Sequence, residues 1–298
     1  MAEDFDKIEQ DNCILYIRRA SRNESFEQAL MGGEERLRQI YTLSKVRSSK
    51  FSRVYKLNVD FDGVETRLYY KWYLHRSAWD FIKHICRPSR AKRAFSAKLM
   101  LAENNFDAPN VVAVGEYRRG LLHKASFLVT RAIENVKSTY ELLFEDVDSR
   151  VAEQLRAKRR QIEAFGQTIG KMHENGIFHG DLRLANTLAK KGSGGWRFFF
   201  LDNERTRRFR RLPRRQRVKN LVQVNLFPPG QMSSTDRMRF FKAYAAENKM
   251  TRGSQKKLMR ETLEKTARRL GKKEAAVETA HFLFRTVSEI AGRFQRKA

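Results

Sequence analysis

One stretch restricts the fold of this chain more than any other. His179-Gly-Asp-Leu-Arg-Leu-Ala-Asn186 spaces a carboxylate, a guanidinium and an amide over eight residues. It lies between two patterned segments. Before it, Val151–Asn175 carries Leu155, Ile162, Phe165, Ile169 and Met172 on one helical face, the periodicity of an amphipathic helix. Asn175-Gly176 then closes that helix as a C-cap. After the loop, Thr187–Ala189 and Arg197–Leu201 read as short strands around a Gly192-Ser-Gly-Gly turn, and the second strand ends at Asp202. Any fold must therefore accommodate a helix, a polar loop, a hairpin and a terminal carboxylate, in that order.

Upstream the texture differs. Val54-Tyr-Lys-Leu-Asn-Val-Asp-Phe alternates apolar with polar, turns at Asp62-Gly63, and resumes through Arg67-Leu-Tyr-Tyr-Lys71-Trp-Tyr. Alternation broken by Asp-Gly predicts a β-hairpin. Arg87–Asn104 follows, with Ala91, Ala94, Phe95, Lys98, Leu99 and Ala102 at helical spacing. Beyond Pro109, Val111-Val-Ala-Val-Gly-Glu-Tyr and Ala125-Ser-Phe-Leu-Val-Thr predict two more strands. Past Thr130 the pattern is helical, at Tyr140–Leu143, Arg237–Asn248 and Gln255–Phe294. The expected class is α+β. Residues 1–45 form an N-terminal extension packing on or near a small β-rich lobe (46–130), with a short helix around Gly33–Leu43. A larger, mostly helical lobe (131–298) carries the loop 179–186.

The loop holds what phosphoryl transfer asks of a protein, which is positioning and charge compensation. Asp181 would accept the proton of an attacking hydroxyl, or orient that hydroxyl. Asn186 and Asp202 would offer oxygen ligands to Mg²⁺, which binds through one or two carboxylates together with substrate phosphates. Arg183 would stabilise charge on the transferring group, and His179 would brace the loop. Asp and Asn also satisfy backbone groups in ordinary turns. The octapeptide, its amphipathic helix, the glycine hairpin and the strand-end carboxylate together favour the chemical reading, a protein-kinase-like two-lobed fold. Lys71, on a strand before the helix, then falls where such a lobe supplies a lysine to the phosphates of ATP, although strand lysines are commonly just solvated. Ser48-Ser-Lys-Phe-Ser-Arg53 occupies the place of a glycine-rich phosphate loop but contains no glycine. Ser49 and Ser52 are its candidate phosphate contacts.

Composition adds a partner class. Sixty-one Lys and Arg against 34 Asp and Glu leave a formal charge of +27, a field that favours a polyanion such as nucleic acid, anionic lipid or a phosphorylated glycan. Arg205 to Lys219 carries nine basic residues and no acid. A solvated segment and an anion cradle on the acceptor side both fit such a run. Phe209 is its one aromatic residue, so stacking platforms for single-stranded nucleic acid are poorly represented, and nucleic acid is the less favoured partner. Cys13 and Cys86 show neither CxxC spacing nor a nearby histidine cluster, which fits a reducing cytoplasm. No signal peptide and no apolar run of roughly 20 residues are evident. His75, His84 and His123 lack ligand spacing, and Trp72, Trp79 and Trp196 read as core residues.

These residues resemble the lipopolysaccharide kinase family, the protein-kinase-like enzymes that phosphorylate Kdo or heptose in the lipid A-core of Gram-negative bacteria. The likeness spans roughly residues 45–245. It rests on Leu68-Tyr-Tyr-Lys71-Trp-Tyr, Ala108-Pro-Asn-Val-Val-Ala-Val-Gly-Glu116, Phe127-Leu-Val-Thr-Arg-Ala132, the octapeptide, Phe200-Leu-Asp202-Asn-Glu-Arg205 and Thr235-Asp-Arg-Met-Arg-Phe-Phe241. The resemblance implies Asp181 as catalytic aspartate, Asn186 and Asp202 as metal ligands and Lys71 on ATP. The implied acceptor is a lipopolysaccharide core sugar, reached from the cytoplasm at the anionic inner face of the inner membrane. A protein or small-molecule kinase of the same fold, or a pseudokinase scaffold gathering a polyanion, are the alternatives. Three departures stand out. Asp202-Asn-Glu replaces Asp-Phe-Gly. Ala94 stands where the helix would offer Lys71 an acidic partner, leaving Glu103, an acid outside the helix, or no ion pair and slow turnover. Asn220-Leu-Val replaces an Asp-Leu that braces the catalytic loop, so a weakened brace is expected.

Overall fold

The computed structural model describes residues 4–10, 12–48, 51–74, 87–119, 122–145, 151–227 and 230–271. Ser49, His75, Trp79, His84, Cys86, the side chain of His123 and the expected helix beyond Gly271 lie outside them. The chain divides into two compact units: Met1–Asn135 together with Asp202–Arg205, and Val136–Leu201 together with Thr206–Ala298.

The first unit is built on seven antiparallel strands. These are β1 (Phe5–Gln10), β2 (Cys13–Arg18), β3 (Ser44–Val46), β4 (Ser52–Phe61), β5 (Val64–Tyr73), β6 (Val111–Arg119) and β7 (Leu122–Arg131). Their order across the sheet is β1-β2-β6-β7-β5-β4-β3. The hairpin expected at Asp62-Gly63 joins β4 to β5: both residues take left-handed backbone angles, φ 53° and 82°. Asp60 Oδ1 accepts from the Gly63 amide at 2.7 Å. Residues 5–18, read from the sequence as part of an extension, instead supply two strands of this sheet. Charges break up β1 and hide it, whereas Cys13-Ile-Leu-Tyr-Ile17 of β2 is an unbroken apolar run, buried at four of its five positions, without the alternation that marks β4.

Each face of the sheet has its own cover. Phe26, Ala29, Leu30 and Leu37, from helices Glu24–Met31 and Gly33–Ile40, bury against Leu57, Leu68, Tyr70 and Phe127. On the other face, helix Arg90–Glu103 sets Ala91, Ala94 and Phe95 against Tyr73, Val114 and Leu128. Alternation along β5 does the sorting. Leu68 and Tyr70 enter the first cluster with Trp72 packed against it, while Tyr73 enters the second. Lys71, two residues before Tyr73, therefore shares the face of helix Arg90–Glu103.

In the second unit, helix Ala152–Glu174 packs on helix Ser234–Glu247, and helices Arg214–Val224 and Arg252–Leu270 pack on each other. A small sheet runs β11-β10-β8, from Gly195–Phe200, Thr187–Gly192 and Lys137–Ser138. A two-stranded ribbon pairs β9 (Ile177–Phe178) with β12 (Arg207–Arg208). Between helix Ala152–Glu174 and β9 the chain reverses at Gly176, whose φ is +73° and where a Cβ would meet the Phe209 carbonyl oxygen at 2.0 Å. Only glycine serves there.

Candidate active site

In the second unit, the octapeptide runs from the end of β9 to the start of β10, and its apolar side chains fasten it. Leu182 is fully buried and Leu184 nearly so. Leu184 lines an apolar cavity of about 80 Å³ with Leu143, Ile162 and Phe165. The polar residues keep the other side. Arg183 grips Asp181 with two parallel bonds, Nε to Oδ1 at 2.8 Å and Nη2 to Oδ2 at 2.9 Å, the fork geometry that aims a carboxylate. Asn186 Nδ2 donates to the Asp181 carbonyl at 3.0 Å. That commits the nitrogen of the amide to the loop and leaves Oδ1 as the acceptor, the atom Mg²⁺ would use. His179 is fully buried and structural: its Nδ1 accepts from the Asp181 amide at 3.4 Å and its carbonyl accepts from Thr206 Oγ1 at 3.0 Å.

Asn220 does brace the loop, with neutral hydrogen bonds where an aspartate would make charged ones. Asn220 Oδ1 accepts from the His179 amide at 3.1 Å, and its Nδ2 donates to Gln223 Oε1 at 2.9 Å. Gln223, one helical turn on, accepts from the Leu182 amide at 3.2 Å and donates to the Gly180 carbonyl at 3.0 Å. Two neutral amides thus hold three backbone groups of the loop, at His179, Gly180 and Leu182, and all of these residues are buried. His173 completes the set, with Nε2 3.3 Å from Asn220 Oδ1 and Nδ1 3.0 Å from the Tyr244 hydroxyl. Burial first, and then the nearby Arg217, push its pKa down to about 3.

In the first unit, Lys71 is only 16% exposed and pairs with Asp202. Burial on its own would lower its pKa, but Tyr73, Asp202 and Glu204 outweigh burial and raise it. Asp202 itself is 44% exposed and held at a left-handed φ of 57°. An exposed carboxylate is a hard oxygen donor of the kind Mg²⁺ takes. Glu204, two residues on, is 9% exposed and lies 3.9 Å from Lys71. Ser52 opens β4 and is buried, whereas Ser48 is exposed and donates to the Ser52 carbonyl at 2.9 Å. Lys45, Arg47, Ser48, Ser52, Arg53 and Leu74 line a concavity there. It is basic and suited to phosphate, although it contains no glycine.

The basic run is structured. Arg207 and Arg208 form β12, the Phe209 amide donates to the Gly176 carbonyl at 2.9 Å, and Pro213 caps the following helix. Arg214 is taken by Glu261 at 2.8 Å and Arg217 by the Tyr244 hydroxyl at 2.6 Å. Arg207, Arg208, Arg210, Arg211 and Arg215 are exposed.

An antiparallel sheet with its helix in one unit, and a braced polar loop in a largely helical second unit, define a protein-kinase-like α+β fold. The solved structure of "WaaP in complex with acyl carrier protein" shares that fold: TM-score 0.55 at 20% identity, over 80% of this chain and 96% of that one. The kinase PK-1 of Cydia pomonella granulovirus aligns with a TM-score of 0.39 at 15% identity, over 74% of each chain. The lipopolysaccharide kinase (Kdo/WaaP) family model matches residues 38–244, and this chain belongs to that family. A 3-deoxy-D-manno-octulosonic acid kinase of Xanthomonas axonopodis pv. citri (strain 306) is 30% identical over 108 residues. That match spans 36% of this chain and 39% of the relative.

Sequence reasoning missed Glu204, Arg90 and Gln223. Glu204 carried a signal, an acid two residues past a proposed metal ligand in an otherwise basic stretch. Arg90 and Gln223 carried none that spacing could show, because their partners are distant in sequence.

Proposed function

We propose that this protein transfers the γ-phosphoryl group of ATP, with Mg²⁺, to a sugar hydroxyl of the lipopolysaccharide core, a Kdo or heptose unit. The observation that carries the reading is the braced loop, with Asp181 oriented by Arg183 and Asn186, in a chain of the Kdo/WaaP family. Asp181 orients the acceptor hydroxyl and takes its proton. Arg183, 59% exposed, turns from Asp181 toward the developing charge on the phosphoryl group. Lys71 holds the nucleotide phosphates, with Ser49 and Ser52 as further phosphate contacts. Asn186 and Asp202 would hold Mg²⁺, which would neutralise charge on the nucleotide phosphates. The exposed arginines of 205–219 suit a phosphorylated acceptor and an anionic inner-membrane surface. Among the described residues no helix is long and apolar enough to cross a membrane.

The test is transfer itself. Purified protein incubated with radiolabelled ATP, Mg²⁺ and cell-envelope extract should label glycolipid. Label in polypeptide instead would favour a protein kinase. Asp181→Ala and Asp202→Ala should each abolish transfer with an unchanged thermal transition, and near-wild-type turnover by either would reject the mechanism. The glycine-free segment before β4 favours a pseudokinase scaffold, and Mg²⁺-dependent phosphate transfer by the wild type would remove that alternative.

A further inference from the structure

Kinase-like folds pair their strand lysine with a glutamate from the neighbouring helix. Here the helix cannot supply one. Ala94 is buried in the apolar cluster with Phe95, and Glu103 is exposed at the far end of helix Arg90–Glu103. The other buried acid near this helix, Glu116, is held by Lys92 at 2.7 Å and Arg118 at 2.9 Å. What the helix does present is a cation, Arg90.

We infer that Glu204 is the positioning acid of Lys71, held in place by Arg90, so that the acid usually supplied by the helix comes instead from the segment after Asp202, and the helix supplies a cation that holds it. This rests on the proposed phosphotransferase reading. Arg90 Nη2 donates to Glu204 Oε1 at 2.5 Å, and the two side chains are 10% and 9% exposed. A carboxylate this deep needs charged partners. Its second oxygen, Oε2, makes no hydrogen bond among the described residues and lies 3.9 Å from Lys71 Nζ. Lys71 currently pairs with Asp202. Asp202 is the exposed carboxylate assigned above to Mg²⁺, and among the described residues Glu204 is the acid left for the lysine once Asp202 turns to the metal.

Arg90 also fixes the surroundings. Its Nη1 donates to the carbonyls of Phe51 at 3.0 Å and Leu74 at 3.5 Å, and the Leu74 amide donates to the Phe51 carbonyl at 3.1 Å. Phe51 directly precedes Ser52, and Leu74 follows the lysine strand. The guanidinium stands 4.7 Å from the centre of the Tyr73 ring, and Lys71 Nζ stands 5.1 Å from it. One planar fork thus ties the start of β4, the end of β5 and Glu204 into a fixed frame for the lysine, a task a lysine at position 90 could not perform.

The experiment uses the full chain and two readouts. One is titration calorimetry with a non-hydrolysable ATP analogue and Mg²⁺; the other is steady-state transfer with ATP and acceptor varied separately. Glu204→Gln is expected to bind the analogue at least tenfold more weakly and to raise KM for ATP, with KM for the acceptor unchanged. Glu204→Asp should recover part of the loss, and Glu103→Gln should match wild type. Wild-type analogue affinity in Glu204→Gln overturns the inference, as does an equal loss in Glu103→Gln. Should Glu204→Gln lose its thermal transition, Arg90→Lys is read instead, and unchanged analogue affinity there overturns it too. A wild-type chain that binds the analogue but ignores these substitutions rejects this inference alone. A wild-type chain that binds no nucleotide rejects the proposed function and the inference with it.

Discussion

At the scale of single residues, the catalytic loop depends on neutral amides buried beside it. Asn220→Ala would leave the His179 amide and Gln223 without their partner, and each buried polar group so exposed costs about 1–3 kcal/mol. Urea unfolding should show a loss of roughly 2–4 kcal/mol, with transfer falling more than tenfold; an unchanged midpoint would mean that the brace is dispensable. His173 gives a pH signature. Its folded pKa of about 3 lies below the ordinary 6.5, so the unfolded chain takes a proton that the folded chain refuses. Stability from this group is full above about pH 6.5 and declines as pH falls toward 3, by up to about 1.4 kcal/mol per pH unit. His173→Gln should flatten the decline between pH 6.5 and 5, and an unaltered slope would assign it to other groups. Asp181, Arg183 and Asn186 were legible in the sequence because they meet within eight residues. Gln223 and Arg90 were not, because Gln223 reaches Leu182 across 41 positions and Arg90 reaches Glu204 across 114.

Among the elements, the contact of helix Ala152–Glu174 with helix Ser234–Glu247 depends on close backbone approach. A Cβ at Gly166 would lie 2.5 Å from the Phe240 carbonyl oxygen, and one at Gly170 would lie 2.8 Å from that of Tyr244. Gly166→Val should therefore push the helices apart and cost about 1–3 kcal/mol, read as a fall in Tm with the far-ultraviolet circular dichroism retained; an unchanged Tm would refute the close packing. Helical and strand periodicity located these elements well. The helix expected over Val151–Asn175 is Ala152–Glu174, and the one expected over Arg87–Asn104 is Arg90–Glu103. The failure was at the N-terminus. Burial in β1 runs iieiee, the pattern of a half-exposed edge strand, and such a strand carries too few apolar residues to announce itself.

Across the whole molecule, a charge of +27 and a structured run of exposed arginines imply strong, salt-sensitive attraction to anionic surfaces. Each basic residue near such a surface contributes about 1 kcal/mol. Replacing Arg207, Arg208, Arg210, Arg211 and Arg215 with Gln should lower partitioning onto phosphatidylglycerol vesicles by more than 100-fold in a flotation assay. Equal partitioning would detach this segment from any role at the membrane. Lastly, the four residues Asp202–Arg205 belong to the first unit although they follow Leu201 of the second. In the complete chain Lys71 and Arg90 stand over the same Tyr73 ring, and a chain that ends at Asn135 lacks both carboxylates that neutralise them, Asp202 and Glu204. Completion of the amino-terminal half must await emergence of residue 205 from the ribosome. A truncated fragment 1–135 is a poor surrogate for nucleotide-binding work, since its two buried cations would repel each other.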